Sequence, residues 1–444
     1  MTRVAALLLL AASVLAADDR LQQRLEWFQD QKFGLMLHWG AYSQMGVIES
    51  WPLVWADRKW SNPKISTREE MVEFRKRYFA LPRTFNPTEF DPAVWARHAK
   101  AAGMRYVVFT TKHHDGFAMF DTRQSEYRVT APEVTFSRDP RSNIVREVFS
   151  AFRKQGLGIG AYFSKSDWHS PFYWRPDVFA EDRNPNYDTL ADSRRWAQFV
   201  QFVHGQIGEL VTGYGPIDIL WLDGGQVRPP KQNIDMDRLV AMARRHQPGL
   251  IVVDRTVGGK HENYRTPEQK VPQKPLDGPW ESCITMGTQW SYKPADTYKP
   301  ARELVHLLVD VVAKGGNLLL NIGPQPDGQL PEEAVVRLEE IGRWMAVNGK
   351  AIHGTRAFAP YREGRIAYTR RGNTIYAFYL LEHGERPPSQ IVIPAVRPGS
   401  GTHVELLGSR ASVEWSVAAQ GITVRPPDTA TAEHAIVFAI SGTL

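Results

Sequence analysis

Three acidic side chains in the second half of the chain lie where a carboxyl group could do chemistry. Asp223 ends the apolar run 219–222 and is followed by two glycines, so its carboxylate should project from the end of a buried strand. Glu268 lies in a later loop, and Glu281 follows Trp280 at the start of another apolar run. Glycoside hydrolysis needs one carboxylate that attacks and one carboxylic acid that protonates the leaving oxygen. The pattern at Asp223 is equally compatible with an acid that caps the next helix.

Three histidines lie at the ends of the first two apolar runs. His38 ends the first run, and His113 and His114 follow the second. As metal ligands they would need further ligands at defined spacings. As neutral hydrogen-bonding groups for sugar hydroxyls they need only converge on one pocket, where aromatic rings would pack against the apolar face of a sugar. Aromatic residues near such strand ends are Trp39, Phe117, Tyr162 and Trp221. Sugar binding, a metal site and a structural role all stay open on the residues alone.

Seven short apolar runs alternate with amphipathic helical patterns between residues 31 and 322, which predicts βα units around a parallel sheet. The runs are residues 33–38, 105–110, 158–163, 217–222, 250–253, 282–285 and 317–322. Because an eighth run is not evident, we predict an α/β fold with a distorted (β/α)8-like barrel. The reacting groups of such barrels lie at the carboxyl ends of the strands, which is where the histidines and Asp223 fall.

Start and stop signals predict three of the helices between these strands. Helices opened by Asp91-Pro92, Asp139-Pro140 and Pro331-Glu332 should end at Gly103, Gly156 and Gly349, respectively. From about residue 356 the pattern changes to short alternating runs, which predict a small antiparallel β-sandwich. The six predicted strands are residues 365–369, 375–379, 391–393, 404–407, 422–424 and 435–438. We therefore expect a barrel over residues 18–354 and a sandwich over residues 355–444.

The N-terminal segment, the charge and the cysteine content indicate where the protein is located and which partners it lacks. Residues 1–17 carry a basic start, an apolar stretch and small residues, which predicts a cleavable signal peptide and a secreted or periplasmic protein. No later run is long enough to span a membrane, and the net charge of +6 includes no dense basic run, so neither a membrane nor a nucleic acid is an expected partner. The single cysteine, Cys283, excludes an intrachain disulfide and a Cys-rich metal site.

Several motifs, in order from residue 27 to residue 324, together resemble glycoside hydrolase family 29, the α-L-fucosidases. They are Trp27-Phe28 with residues 32–34, the segments 38–43, 102–106 and 112–117, Gly156-Leu157 leading to residues 162–164, and the segments 220–224, 280–283 and 317–324. The resemblance implies an exo-acting, retaining α-L-fucosidase with no metal and no cofactor, whose partner is a fucosylated glycan. It carries no implication for the oligomeric state.

The resemblance also implies roles for individual residues. Asp223 matches the family's nucleophile, and residues that match the fucose pocket are His38, His113, His114, Tyr162, Trp221 and Arg255. Trp39 belongs to the same His-Trp-Gly motif and is expected to bind substrate. The segment around Glu268 is similar to the subgroup that removes α1,3- and α1,4-linked fucose, so Glu268 is the expected acid/base and Glu281 the second candidate.

Glu49 and Trp290 are two further expected pocket residues that lie outside these motifs. The family often has Glu-Trp after the His-Trp-Gly motif, whereas this chain reads Ile48-Glu49-Ser50-Trp51, so Glu49 reaches the sugar only if the geometry allows. The long stretch that follows, with Trp51, Trp55 and Trp60, should shape the rim. Trp290 is expected to receive the C5 methyl group of fucose.

Other functions remain compatible with the sequence. A family member could act on an α-L-galactoside or a sulfated fucan, since one extra hydroxyl is a small discriminator in an apolar site. A metal-dependent hydrolase on the same barrel would need a third ligand near His113 and His114. A non-catalytic glycan-binding protein would be expected to lack one of the acids.

Overall fold

The structure, a computed structural model, describes residues 19–427 and 433–443. The predicted signal peptide at residues 1–17 lies outside these ranges. Within them, no helix is long and apolar enough to cross a membrane.

Seven parallel strands form a strongly curled sheet in the order β5-β4-β3-β2-β1-β7-β6. They are β1 (Phe33–Leu37), β2 (Tyr106–Lys112), β3 (Gly158–Ser164), β4 (Ile219–Asp223), β5 (Ile251–Asp254), β6 (Glu281–Thr285) and β7 (Asn317–Ile322). Nearly every residue of these strands is buried, as expected for a parallel sheet with helices outside and side chains filling the interior. The sheet confirms the seven predicted strands and the barrel-like α/β fold.

The segment 261–269 lies between β5 and β6, where a regular barrel would have its eighth strand. Its first part pairs with β5, because Asn263 N donates to Val252 O at 3.0 Å. Its second part pairs with β6, where Gln269 N donates to Cys283 O at 3.0 Å and Cys283 N to Pro267 O at 3.2 Å. This irregular segment closes the distorted barrel that the sequence predicted.

The helices surround the sheet and close its base. They are α1 (residues 19–31), α2 (Arg58–Ser61), α3 (Arg68–Phe79), α4 (Pro92–Ala101), α5 (Ile144–Lys154), α6 (Ser193–Gly213), α7 (Met236–His246), α8 (Ala301–Ala313) and α9 (Glu332–Asn348). Short 3-10 turns occupy Ala41–Met45, Trp51–Leu53, Trp55–Asp57, Leu81–Thr84, Thr135–Arg138 and Gly349–Ala351.

The predicted helix starts are correct at α4 and α9 and wrong at α5. Asp91 caps α4 by accepting from the amides of Ala93 and Val94. The helix α5 begins only at Ile144, where the side chain of Asn143 accepts from the amide of Arg146. Asp139 instead pairs with the guanidinium of Arg141, so the Asp-Pro signal opens a turn and not the helix.

The C-terminal part contains two antiparallel sheets. One has the order β12-β15-β10-β9-β8 and the other β11-β14-β13. The strands are β8 (Arg356–Glu363), β9 (Ile366–Arg371), β10 (Thr374–Leu380), β11 (Ile391–Ile393), β12 (Pro398–Leu406), β13 (Glu414–Val417), β14 (Ile422–Arg425) and β15 (Ala435–Thr443). Side chains of β10 alternate: Ile375 and Ala377 face the small sheet, and Tyr376 and Phe378 join the core of the helical layer.

Candidate active site

A cavity of about 410 Å³ opens at the carboxyl ends of the barrel strands. It is lined by Met36, His38, Ile48, Glu49, Trp51, Trp60, His113, His114, Tyr162, Arg183, Trp221, Asp223, Gly224, Gly225, Gln226, Arg255, Thr256, Glu268 and Trp290. Residues from six different strand ends and their connections therefore meet at one point, as in other barrels of this kind.

Asp223 is the last residue of β4, and each of its oxygens is bound from the protein side. Tyr162 donates its hydroxyl to Oδ2 at 2.8 Å, His114 Nε2 lies 3.4 Å from Oδ2, and Arg255 Nη1 donates to Oδ1 at 2.9 Å. Burial alone would raise the pKa of Asp223, but the Arg255 charge and the hydrogen bonds from His114 and Tyr162 outweigh it and hold that pKa well below its usual range. The carboxylate is therefore ionised at neutral pH.

The backbone after Asp223 turns away from the pocket. Gly224 has a φ of +93°, which is inexpensive for glycine and strained for other residues. The next helix, α7, is capped by Asp235, whose side chain accepts from the amide of Arg238. The capping role that the sequence left open for Asp223 thus belongs to another aspartate, and the Asp223 carboxylate faces the cavity.

Arg255 joins the two acids that face the pocket. It follows β5, and while Nη1 binds Asp223, Nη2 donates to Glu268 Oε2 at 2.7 Å and Nε donates to Thr266 Oγ1 at 3.1 Å. Its guanidinium lies over the ring of Trp221 at 4.5 Å. The side chain of Glu268 is 47% exposed and that of Asp223 18% exposed, so the first can exchange protons with solvent more freely than the second.

The three predicted histidines converge on the cavity. Each Nδ1 is held from behind: His38 by Asn321 Oδ1 at 2.7 Å, His113 by Ser50 Oγ at 2.6 Å and His114 by Ser166 Oγ at 2.6 Å. This leaves Nε2 of His38 and of His113 to face the pocket, whereas Nε2 of His114 lies against Asp223 Oδ2. Burial lowers the pKa of His38 to about 4 and that of His113 well below its usual value.

Glu49 reaches the pocket despite the altered motif. Its Oε1 accepts from the amide of Ser291 at 2.6 Å, whereas Oε2 is buried without a hydrogen-bond partner among the described residues. Burial raises the pKa of Glu49 to about 8, so the group is protonated at neutral pH and can donate a hydrogen bond. Trp290 lies beside it in the lining, with its ring 5.1 Å from that of His38.

Trp39, a predicted substrate-binding residue, lies away from the pocket. Trp39 is fully buried among Phe85, Phe90 and Trp95, and its indole nitrogen donates to Gln325 O at 3.0 Å. The ring packs in the hydrophobic core, so the structure does not bring Trp39 together with the residues that line the cavity.

Glu281 lies inside the barrel beneath Trp221. Its carboxylate accepts from Tyr106 Oη at 2.6 Å, Trp221 Nε1 at 3.1 Å and Tyr264 Oη at 3.2 Å. Because β6 begins with Glu281, the side chain is at the opposite end of the strand from the pocket. Glu281 is therefore not among the residues that line the cavity, whereas Glu268 is.

Metal binding is the remaining alternative for the histidines. In residues 19–427 and 433–443 there is no group of three or more His, Cys, Asp or Glu side chains arranged to hold a metal ion. Nδ1 of each pocket histidine is hydrogen-bonded to a side-chain hydroxyl or amide oxygen. This arrangement suits hydrogen bonding to a polyhydroxylated ligand.

Comparison with known proteins relates this geometry to a family. A family model described as Alpha-L-fucosidase matches residues 11–350. An α-L-fucosidase of Branchiostoma floridae is 30% identical over 431 residues, which cover 92% of this chain and 90% of that protein. The chain belongs to the α-L-fucosidase family. This confirms the family that the motifs predicted and, with it, the enzyme class of glycoside hydrolase.

Solved structures of the family share the whole architecture. Isoenzyme 1 from Paenibacillus thiaminolyticus superposes with a TM-score of 0.78 at 31% identity, covering 95% of this chain and 99% of that one. The Thermotoga maritima α-fucosidase in complex with a mechanism-based inhibitor gives a TM-score of 0.75 at 28% identity, with 94% and 96% covered. Both the barrel and the C-terminal sheets are therefore features common to α-L-fucosidases.

Several lining residues of this α-L-fucosidase were not predicted from the sequence. Trp51 and Trp60 do line the cavity mouth as the rim prediction stated, whereas Trp55 packs outside it against Phe179. Arg183, Gln226 and Thr256 come from three separate connections and had no spacing signature. The one signal that pointed to this part of the rim was the density of tryptophans between residues 51 and 60.

Proposed function

We propose that this chain is an exo-acting, retaining α-L-fucosidase that removes terminal α-linked L-fucose by double displacement. Asp223 is the nucleophile and Glu268 the acid/base. The observation that carries this proposal is that one guanidinium, that of Arg255, binds both carboxylates at the wall of a pocket lined by histidines and tryptophans. A retaining enzyme needs two carboxyl groups close together, about 5–5.5 Å apart.

In the first step, Asp223 Oδ attacks C1 of the fucosyl group while protonated Glu268 gives its proton to the glycosidic oxygen. The C1–O bond breaks, the leaving alcohol departs neutral, and an ester joins Asp223 to the sugar. In the second step, ionised Glu268 takes a proton from water as the water oxygen attacks C1. The ester bond breaks, and Asp223 and protonated Glu268 are restored with release of fucose.

Arg255 can couple the two steps. Before attack its charge is shared between Asp223 and Glu268, which favours the ionised nucleophile. Once the charge of Asp223 is consumed in the ester, the guanidinium keeps its hydrogen bond to Glu268, the group that the second step needs as a base. The same cation therefore holds both carboxyl groups in place through the two steps.

The pocket walls fit a deoxy-sugar with three hydroxyl groups. Nε2 of His38 and of His113 and the protonated Glu49 can bind hydroxyls, and Trp290 offers an apolar face for the C5 methyl group. A Thermotoga maritima relative has been solved in complex with fucose, which supports this choice of sugar. We further propose that the linkage cleaved is α1,3 or α1,4, on the resemblance of the segment around Glu268, and that residues 1–17 direct the enzyme to secretion or the periplasm.

The test combines a linkage panel with azide rescue. Wild type, Asp223→Ala and Glu268→Ala are assayed for free fucose from α1,2-, α1,3-, α1,4- and α1,6-fucosylated oligosaccharides, and then on an activated aryl α-L-fucoside with sodium azide. We expect wild type to favour the α1,3 and α1,4 substrates. Azide should give the β-fucosyl azide with Asp223→Ala, by one displacement, and the α-fucosyl azide with Glu268→Ala, by two.

Each part of the proposal can fail separately. If α1,2 or α1,6 substrates are preferred, the linkage assignment is wrong and the mechanism stands. If azide instead yields the α-azide with Glu49→Ala, the acid/base is Glu49 and not Glu268. Absence of fucose release from every substrate would redirect the proposal to another L-sugar or a modified fucan.

A further inference from the structure

The cavity mouth carries a group of side chains that the chemistry at C1 does not use. This outer rim consists of Trp51, Asp57, Trp60 and Arg183. Three of them come from the long connection between β1 and β2, and Arg183 comes from the connection between β3 and β4. Trp51, Trp60 and Arg183 line the cavity together with the reacting groups, so the outer rim is continuous with the proposed fucose pocket.

Asp57 fixes the orientation of the outer rim. It accepts two hydrogen bonds from Arg183, Nε to Oδ2 at 2.7 Å and Nη2 to Oδ1 at 3.0 Å. Its Oδ1 also accepts from the indole nitrogen of Trp60 at 3.2 Å. The guanidinium lies over the ring of Trp51 at 4.3 Å, and that ring is 6.1 Å from Trp60. One carboxylate thus holds a cation and an indole in a defined arrangement at the mouth.

Trp60 is the only exposed tryptophan in the part of the chain that the structure describes, with 52% of its surface accessible. A tryptophan needed only for packing would bury its ring, as Trp55 in the same connection does in part against Phe179 and Arg58. Trp60 instead keeps half of its surface open beside the cavity while its indole nitrogen is already bonded within the protein. The exposed indole surface is therefore available to a ligand that enters past it.

We propose that the outer rim is the binding site for the leaving-group sugar, the pyranose to which the fucose is joined. This rests on the proposed function, because it assumes that fucose occupies the inner pocket. The C–H face of the leaving sugar packs on Trp60, and Arg183, which contributes only Nε and Nη2 to Asp57, donates from Nη1 to a hydroxyl of that sugar. Because Asp57 neutralises Arg183, the rim is matched to an uncharged pyranose and not to a sulfated or acidic one.

The test compares two substrates that differ only in what leaves. Trp60→Ala is assayed on the α1,3-fucosylated form of N-acetyllactosamine and on α-L-fucosyl fluoride, whose leaving group has no surface to pack on Trp60. We expect kcat/KM to fall roughly five- to tenfold on the oligosaccharide and to change less than about twofold on the fluoride. Trp60→Phe should restore most of the loss, and Trp55→Ala, the matched control in the same connection, should leave both values unchanged.

Equal losses on the two substrates, or no loss on the oligosaccharide, would overturn the proposal. A binding readout separates it from the proposed function. Free N-acetyllactosamine, titrated by intrinsic tryptophan fluorescence, should bind the wild type and bind Trp60→Ala at least fivefold more weakly whether or not fucose is released. If the wild type hydrolyses neither fucosyl substrate and still binds the disaccharide through Trp60, the function fails and the outer rim stands. If the disaccharide binds both forms equally, the outer rim assignment fails.

Discussion

Three carboxyl groups in or beneath the pocket differ in ionisation because their surroundings differ. Asp223 has a cation and two further donors, and its pKa stays well below the usual range in spite of burial. Glu49 is buried with only backbone and hydroxyl donors near it, and burial raises its pKa to about 8. For Glu281, burial outweighs three side-chain donors and raises the pKa to about 7. Environment, and not residue type, therefore decides which acid carries a proton at neutral pH.

The protonated state of Glu49 leads to a pH prediction. Below pH 8 the neutral carboxyl donates to a sugar hydroxyl, and above it the ionised group loses that donor and repels the other two pocket acids. We expect wild-type KM to rise as pH increases beyond about 8. Glu49→Gln keeps a donor and cannot ionise, so its KM should stay flat over the same range. A wild-type KM that is constant between pH 7 and 9.5, measured on an activated aryl fucoside, would contradict this role.

Glu281 leads to a prediction about stability and not about acid catalysis. Burial raises the pKa of Glu281 from its ordinary value of 4.5 to about 7 in the folded protein, so its favourable contribution is present at low pH and is lost as pH rises through 7. Glu281→Gln mimics the protonated form, so its melting temperature relative to wild type should increase between pH 5 and pH 8. Activity should stay within about tenfold of wild type, because Trp221 keeps a hydrogen-bond acceptor.

Azide provides the control for this prediction. Azide cannot restore activity that was lost by displacing Trp221, so it should have no effect on Glu281→Gln or on Glu281→Leu. The second variant leaves three buried donors without partners and should unfold at a markedly lower temperature. Rescue of either variant by azide would return the acid/base role to Glu281.

Among individual residues, the sequence correctly placed those that lie at the ends of buried strands. Asp223, the histidines and Arg255 follow buried strands, so their place at the pocket could be predicted from the strand ends. Trp39 and Glu281 lie outside the cavity lining, which the sequence did not reveal because a motif gives residue type and not side-chain direction. Arg183 had no sequence signal, since its place depends on an ion pair with Asp57, which lies 126 residues earlier in the chain.

At the scale of elements, the irregular closure of the barrel is what positions Glu268. The segment 261–269 pairs with β5 at its start and with β6 at its end, and Glu268 forms a bridge with Cys283 of β6. The sequence predicted seven strands and left the eighth position open because this segment is too polar to read as a strand. Glu268, the proposed acid/base, therefore lies on the one part of the described barrel wall that lacks a regular strand.

Asn263 anchors this segment and offers a test of its role. Its Oδ1 accepts from the amide of Val252 at 2.8 Å and from Arg244 Nη2 at 2.9 Å, and its Nδ2 donates to Lys260 O at 3.0 Å. Asn263→Ala should lower kcat/KM about tenfold on an oligosaccharide, because small displacements of a catalytic group are costly. An activated aryl fucoside, which needs no proton from Glu268, should be affected less than about twofold in kcat/KM.

The control is Lys260→Ala on the same segment. In the described part of the chain its side chain forms an exposed ion pair with Asp237, so kcat/KM should stay unchanged on both substrates. If Asn263→Ala affects the two substrates equally, the segment positions something other than the acid.

At the scale of the whole molecule, the C-terminal sheets pack closely on the helical layer. Trp344 of α9 donates its indole nitrogen to Ala435 O at 3.0 Å, and its ring lies 6.4 Å from Phe378. His306 of α8 contacts His434 O at 2.9 Å. The sequence predicted six of the eight strands here. It missed β8 and β13, which are largely exposed and lack an apolar alternation.

We expect the barrel and the sandwich to unfold as one cooperative unit, because the five-stranded sheet shares its core with α8 and α9. Calorimetry should record a single transition. Trp344→Ala should destabilise the protein by about 3–5 kcal/mol and move that whole transition to lower temperature. Val336→Ala, an exposed change on the same helix, should have little effect. Two separate transitions in wild type would mean that the barrel and the sandwich unfold independently of each other.

The central claim is that Asp223 forms a covalent bond with the sugar. The most direct measurement is to inactivate the enzyme with a 2-deoxy-2-fluoro-L-fucosyl fluoride, which slows the second step, and to locate the label by peptide mass spectrometry. We expect one 2-deoxy-2-fluorofucosyl group on Asp223, and no label on the Asp223→Asn variant. A label on Glu268 or Glu49, or turnover without a covalent adduct, would contradict it.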